Sequence, residues 1–300
     1  DLRGSGARNA WSARGATVPE IVDSDASDGS NSLKLVQTDT ITGDVTVETA
    51  VTLDSPKVLR YSYKVESAVE SDSSPTFLRF ERYFLYNGSW ETRSDYPMSH
   101  TGGAWARAVE LIPAGTHRIR WYFRRTAANK SPGSCALLDD LRFEEPQPFE
   151  DEDFETLDAR GRTKQAWGFQ GWFASGLEEG GGIGGGRGLQ LSASGKKTNE
   201  WEIQNSAVTL IADTGTEPVI LSCKTYGNMD NIGSSEYSLP SLPGIYCGSG
   251  WGQRFYSVTG TGAQSLQLWS KFTDQPLILD DFRVIPYAPR SDAGLSEDFE

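Results

Sequence analysis

Two strand-like phrases in the chain carry paired carboxylates: Leu137-Leu138-Asp139-Asp140-Leu141-Arg142-Phe143 and Ile278-Leu279-Asp280-Asp281-Phe282-Arg283-Val284. The two Asp pairs lie 141 positions apart. Carboxylates so placed can hold a cation, accept backbone N–H groups at a strand end, or act as an acid–base pair on a glycosidic bond. The third chemistry needs two acids facing each other across a cleft. Here the acids sit at duplicated strand ends, which favours a structural role. The only histidines, His100 and His117, have no counterpart in the second half, and His117 lies among arginines in a strand pattern, as a surface residue would. No G-x-S-x-G or H-E-x-x-H pattern is present. The chain is expected not to be an enzyme.

The elements that carry these acids are repeated as well. Glu152-Asp153-Phe154-Glu155, followed by Trp167, opens the second half, and Glu297-Asp298-Phe299-Glu300 closes the chain. Read tail to head, Ser296-Glu297-Asp298-Phe299-Glu300 and then Asp1 to Trp11 reproduce the central phrase. Turn-and-strand patterns pair across the halves. Asp28 to Leu35 matches Gly185 to Leu191, Val45 to Glu48 matches Trp201 to Gln204, and Val58 to Val65 matches Pro218 to Lys224. Ala106 to Leu111 matches Arg254 to Val258, and His117 to Phe123 matches Ser265 to Trp269. Short runs with period-two alternation, separated by Gly, Pro, Asn and Asp, read as strands of an all-β protein. Modules of this length without βαβ alternation read as jelly rolls rather than seven-strand immunoglobulin sandwiches. The expected fold is all-β, with two tandem jelly-roll β-sandwich domains. Residues 1–145 form a first module lacking its own first strand, and residues 146–288 a second. Residues 289–300 form a linker and the first strand of the next module or subunit. The run Gly180 to Gly186 is a loop, with no phosphate-cradle ending.

A formal charge of -13 and a pI of about 4.7 make nucleic acid and anionic membrane surfaces poor partners. No apolar run is long enough to span a bilayer. Without an initiator Met the sequence reads as a processed or excised segment of a secreted protein, extracellular or at the cell surface. Cys223 and Cys247 either pair across neighbouring strands or stay as buried thiols, leaving Cys135 unpaired.

The order of the Phe-Glu phrase, the downstream Trp, the Ser-Leu-x-Leu strand and the final Leu-Asp-Asp strand resembles bacterial extracellular jelly-roll repeats. These are of the carbohydrate-binding-module and galactose-binding-like kind. The resemblance implies a structural Ca2+ between the first and last strands. In the second module Glu155, with Asp153 and Asp280 or Asp281, would hold it, completed by carbonyls near Gly186 and Gly188. In the first module Asp139 or Asp140 would serve, with Glu300 of a neighbouring copy or preceding repeat. It also implies that aromatic residues could stack on sugars: Trp90, Trp105 and Tyr96 in the first module, and Tyr226, Tyr237, Trp251 and Tyr256 in the second. Packing or inter-subunit contact competes for the same side chains. Trp11, Trp167, Trp121 and Trp269 read as core.

A sandwich without its leading strand exposes an edge that another chain can complete. The first expectation is therefore a structural repeat of an extracellular filament or surface stalk. Its copies would associate head to tail by strand sharing, non-covalently or as a covalent tandem array. The alternative is a carbohydrate-binding or adhesive accessory region of a larger secreted protein.

Overall fold

Alternating apolar and polar residues, broken by Asn-Gly, Asp-Gly and Pro-containing turns, give strands throughout. A computed structural model describes residues 11–15, 19–36, 45–66, 77–98, 104–124, 134–158, 162–171, 176–191, 206–227, 231–234, 241–246, 250–270 and 277–286. The first ten strands are β1 (Ser12–Gly15), β2 (Glu20–Val22), β3 (Ser32–Val36), β4 (Val45–Leu53), β5 (Lys57–Glu66), β6 (Phe77–Tyr86), β7 (Ser89–Met98), β8 (Ala106–Ile112), β9 (Gly115–Arg124) and β10 (Cys135–Glu144). The next are β11 (Ala166–Gly171), β12 (Gly176–Glu178), β13 (Gly188–Leu191), β14 (Ser206–Asp213), β15 (Val219–Tyr226), β16 (Asn231–Ser234), β17 (Ser241–Tyr246), β18 (Trp251–Val258), β19 (Ala263–Ser270) and β20 (Leu277–Pro286). A 3-10 turn, Ile183–Gly185, precedes β13.

The first sandwich faces β1-β4-β9-β6-β7 against β2-β3-β10-β5-β8. The second faces β11-β14-β19-β16 against β12-β13-β20-β15-β18-β17. Adding ten to each label of the first sandwich generates the second, except that β17 pairs with β18 rather than joining β16. From β3 to β6 and from β7 to β10 successive strands alternate between sheets, which is jelly-roll wiring. The strand equivalent to β4 is β14; the expected counterpart, residues 201–204, lies outside the described residues.

Alternation places one side of each strand in a core. Along β9, Ile119, Trp121 and Phe123 are fully buried, whereas Arg118 and Arg120 are half-buried on the other face. Trp121 packs edge-on against Tyr61 and Phe80 at 5.3 and 5.5 Å. In the second sandwich Leu189, Leu210, Leu221, Leu268 and Leu279 surround Phe154, Trp167 and Phe282. Trp11 caps the first core, with its ring 6.0 Å from Trp121; the side chain of Trp269 lies outside the described residues. His117 is not the surface residue its arginine neighbours suggested. It is fully buried against the Phe84 ring, its Nε2 2.9 Å from the Pro113 carbonyl oxygen, and burial pushes its pKa down.

The two sandwiches touch directly. β7 and β11 meet in parallel at Met98 and Gly171, so two sheets continue as one of nine strands. Val58 and Val109 of the first sandwich bury against Ala166 and Ile211 of the second. Gly168 makes this approach feasible, because a Cβ there would lie 2.4 Å from the Val109 backbone nitrogen.

Candidate functional site

Both double-Asp phrases sit on a break of strand register. β10 slips against β5 between Asp139 and Arg142, and β20 slips against β15 between Ser222 and Lys224. At each break the second Asp takes a left-handed conformation, φ 53° at Asp140 and 50° at Asp281, a geometry Asp tolerates better than most residues. The first Asp of each pair turns inward. Asp139 accepts the backbone N–H groups of Ser27 (2.7 Å), Asp28 (2.8 Å) and Asp140 (2.7 Å). Asp280 accepts those of Ile183 (2.8 Å) and Asp281 (2.6 Å). Each thereby ties the loop before the third strand of its sandwich to the last strand. The second Asp turns to cations: Asp140 to Arg142, and Asp281 to Lys224 (2.8 Å) and Arg283 (2.6 Å). Burial opposes charge on Asp281, but the Lys224 and Arg283 hydrogen bonds outweigh it and hold its pKa below the usual range. Asp280 goes the other way: burial raises its pKa, and the charges of Asp281 and Glu155 add to the rise.

The Glu-Asp-Phe-Glu phrase does not form a strand. Glu152 makes one antiparallel bridge to Phe282, with N–H to O distances of 3.0 and 2.9 Å. Its carboxylate accepts the N–H groups of Phe154 (3.2 Å) and Gln165 (3.0 Å). Phe154 then turns left-handed at φ 61° and inserts its ring, fully buried, beside Trp167 and Phe282, 5.6 Å from each. The expected first strand is therefore a plug, an anchoring bridge followed by a buried ring, because the positive φ ends the extended backbone. Asp153 is exposed and accepts the Glu155 N–H at 3.1 Å. Glu155 accepts the Arg187 N–H at 2.7 Å. A Cβ on Gly186 would lie 2.0 Å from that same Glu155 oxygen, which accounts for the glycine. Ser296, Glu297, Asp298, Phe299 and Glu300 lie outside the described residues.

As calcium ligands these acids are unequal. Asp140 and Asp281 are neutralised by cations, and both oxygens of Asp139 and of Asp280 already accept N–H groups. Glu155, one of whose oxygens accepts the Arg187 N–H, and Asp280 lie on either side of the loop 182–187. Ideal Cβ positions at Gly182 and Gly186 fall within 3.4 Å of the Arg187 and Ile183 carbonyl oxygens and of both carboxylates, so oxygens line that loop. Among the described residues no group of three or more His, Cys, Asp or Glu side chains converges.

The aromatic candidates divide. Tyr256 points into the second core and is 3% exposed, because Phe255 and Ser257 take the outer face of β18. Tyr237 lies outside the described residues. Tyr226 and Trp251 are cross-strand partners at the ends of β15 and β18, with rings 5.7 Å apart. Tyr226 is 40% exposed, Trp251 is half-buried, and the Tyr226 ring lies over Gly250. On the same face, two residues further along each strand, stand Lys224 and Gln253, and Gln253 donates to the Ser222 hydroxyl at 2.9 Å.

A second surface, absent from the sequence reading except for Trp90, lies on the outer face of β4, β9, β6 and β7. Arg118 stacks over Tyr83 (4.5 Å) and Trp90 (5.0 Å). Arg120 bridges Glu48 (3.1 Å) and Glu81 (3.2 Å), and the Tyr83 hydroxyl donates to Glu81 at 2.6 Å. Burial and Glu81 push the Tyr83 pKa up to about 12. The alternation of Arg118, Arg120 and Tyr122 with buried residues along β9 was the available signal. Trp105 donates its indole N–H to Asp25 at 2.9 Å, a structural tie. The side chain of Tyr96 lies outside the described residues. Cys223 is a free, fully buried thiol whose pKa burial raises to about 12; Cys247 lies outside the described residues.

A wide cavity between the sandwiches is rich in acids. Glu144 pairs with Arg60, Asp151 with Arg283 and Asp158 with Arg162, while Glu152 is held by backbone N–H groups. Glu144, Asp151 and Asp158 thus act as ionic ties.

No family model and no curated protein matches the chain. Among solved structures it is similar to the N-terminal CBM22-1–CBM22-2 tandem domain of Paenibacillus barcinonensis Xyn10C, at 13% identity and TM-score 0.33, covering 95% of this chain and 96% of that one. It is also similar to TmCBM61 in complex with β-1,4-galactotriose, at 13% identity and TM-score 0.32, over 44% of this chain and 86% of that one. The tandem CBM51 modules of Sp3GH98 from Streptococcus pneumoniae match at 10% identity and TM-score 0.23, over 90% and 89% of the two chains. The architecture itself, all-β with two tandem jelly-roll β-sandwiches, is carried by the strand order of this chain.

Proposed function

We propose that the two sandwiches are glycan-binding accessory modules of a secreted protein, with the Tyr226–Trp251 ledge as the principal platform. One observation carries this reading: a cross-strand pair of exposed Tyr226 and half-buried Trp251 next to a row of hydrogen-bonding side chains on one sheet face. Such a surface offers an apolar ring face to a sugar and polar groups to its hydroxyls, the mixture that fixes ligand orientation. Side chains on one face recur every ~7 Å along a strand, so the row can follow an extended oligosaccharide. At a net charge of -13 the chain disfavours acidic polymers, so neutral β-linked polysaccharides are the substrates to test. No helix among the described residues is long and apolar enough to cross a membrane. Affinity electrophoresis in gels containing xylan, β-glucan or β-galactan is expected to retard the protein in at least one gel. Trp251→Ala should weaken that retardation about tenfold, a loss of ~1.4 kcal/mol. Equal mobility of wild type and Trp251→Ala in all three would remove the platform.

Within the second sandwich we further propose that Glu155 and Asp280, with carbonyl oxygens of the loop 182–187, hold a Ca2+ ion. What supports it is the opposition of two carboxylates across a loop lined by oxygens. Calcium takes six to eight oxygens, and a mixture of carboxylates and carbonyls suits it. A chelator should lower the melting temperature of the second sandwich, and Glu155→Gln should abolish that difference. Melting that ignores the chelator ends the calcium reading.

A further inference from the structure

The outer face of β5 and β8 that gives Val58 and Val109 to the contact between the sandwiches also carries Arg60 and Arg107, because Leu59, Tyr61 and Ala108 take the inner face. Arg60 stands opposite Val109 in the ladder, and Arg107 opposite Ser62. On its other side Arg60 is the cross-strand partner of Arg142 in β10, and like charges so placed repel. Glu144 offsets the repulsion, at 2.6 Å from Arg60 and 3.1 Å from Arg142. Arg162 of the second sandwich comes within 3.9 Å of the same carboxylate, so three guanidiniums share it. Asp140 also meets Arg142, and the half-exposed Asp158 meets Arg162 at 3.6 Å. Burial, then the charges of neighbouring arginines, hold the pKa of Arg107 below the usual arginine value, and at Arg60 burial with Arg142 and Arg162 outweighs Glu144. The junction is thus a patch of crowded positive charge in a chain whose net charge is -13.

Beside this patch a second, smaller cavity of about 330 Å³ opens between the sandwiches, walled by Arg60, Arg107, Arg162, Trp105, Trp167 and Leu189. Its charged lining is four arginines, the fourth being Arg187, against the single acid Glu179, which Arg187 already holds at 3.0 Å. Trp105 commits its indole N–H to Asp25 at 2.9 Å. Trp167 is 4% exposed, and its buried indole N–H has no hydrogen-bond partner among the described residues, a cost that an acceptor in the cavity would remove. We propose that this cavity binds one uronic acid unit, its carboxylate among Arg60, Arg107 and Arg162 and its ring against the indole and leucine wall. A planar guanidinium meets a carboxylate in two parallel hydrogen bonds, and aromatic walls suit the apolar face of a sugar ring. The volume sits at the lower end of ligand pockets, ~300–1,000 Å³, so it admits a single sugar unit rather than a chain. The overall negative charge opposes an acidic polymer, but not a lone carboxylate delivered to a locally positive cavity. The cationic cavity does not depend on glycan binding at Tyr226 and Trp251, whereas the choice of a sugar as the acid rests on the glycan-binding reading of the two sandwiches.

The test titrates the full chain with sodium D-glucuronate by calorimetry. Saturable binding at one site is expected, with none for D-glucose over the same concentrations. In proton–nitrogen correlation spectra of the wild type the indole N–H of Trp167 should move with the same saturation. Arg107→Gln should weaken glucuronate roughly tenfold or more, by removing charge-assisted hydrogen bonds. Trp251→Ala should bind glucuronate as the wild type does. Absence of glucuronate binding, or a Trp167 signal that stays still while glucuronate binds, would overturn the cavity, and both are read on the wild type. Loss of glucuronate binding in Trp251→Ala would place the acid on the Tyr226–Trp251 ledge and overturn the assignment as well. Cyclohexanecarboxylate or inorganic sulfate binding as tightly as glucuronate would overturn the choice of a sugar, because a ring without hydroxyls or an oxyanion without a ring would then suffice.

Discussion

A single buried carboxylate, Glu152, shows how the repeated phrase works at the residue scale. It is 3% exposed and faces two backbone N–H groups rather than a cation. Burial raises its pKa, outweighing the hydrogen bonds from Gln165 and Phe154. The folded state therefore binds a proton more readily than the unfolded chain. The stabilisation linked to that proton is complete below the unfolded carboxyl range and is lost as pH rises through the raised folded value. Glu152→Gln keeps one acceptor, loses the other and does not titrate. Its melting-temperature deficit relative to wild type should be largest near pH 4 and shrink toward pH 7. A deficit that grows over that interval would mean the carboxylate is stabilised as the anion. None of this was legible in the sequence, where Glu152 was only the first letter of a repeated phrase and its neighbour Glu155 drew attention as a cation ligand. Sequence shows that an acid recurs, but whether it meets a cation or two amides depends on the loop it faces.

At the scale of elements, Phe154 is the piece on which the second sandwich closes. Its ring completes the cluster with Trp167 and Phe282, and the left-handed backbone at φ 61° aims it inward. Phe154→Ala should cost ~3–5 kcal/mol, the usual range for truncating a buried Phe. In chemical denaturation this loss should appear as a lower midpoint of the transition that unfolds the second sandwich. A loss below ~1 kcal/mol would place the ring outside the core. Strand existence was largely legible: β3 and β13, β5 and β15, β8 and β18, and β9 and β19 all coincide with phrases that pair across the two halves of the sequence. Where period-two alternation fails, reading failed too. β14 buries Thr209 and Ile211 as well as Leu210 and Ala212, since the neighbouring sandwich covers part of its outer face, so its pattern has no polar side to recognise. Tyr256 was missed for a related reason: in Arg254-Phe255-Tyr256-Ser257-Val258 apolar residues fall on both phases, so alternation does not decide whether Phe255 or Tyr256 faces the core. The move of β17 to the sheet of β18, unlike β7, has no sequence signal: both strands are short runs between turns, and sheet choice is decided by which edge is free.

For the whole molecule, the question is whether the two sandwiches unfold as one. They share a nine-stranded sheet, but the junction between β7 and β11 is a single pair, Met98 with Gly171, too little to couple two cores. The coupling must come from the apolar seam, where Val58, Val109, Ala166 and Ile211 are at most 1% exposed. The close approach at Gly168 leaves no room for water between the strands there. Removing a fully buried aliphatic side chain costs ~2–5 kcal/mol, comparable to a large part of one domain's net stability of ~5–15 kcal/mol. If the seam transmits stability, wild-type protein should show one calorimetric transition. Ile211→Asp, which places an unpaired charge in the seam, should split it into two, with the second sandwich melting first because Ile211 belongs to it. Gly168→Val should have the same effect by forcing β11 away from Val109. Two separate transitions already present in the wild type would show the sandwiches to be independent beads.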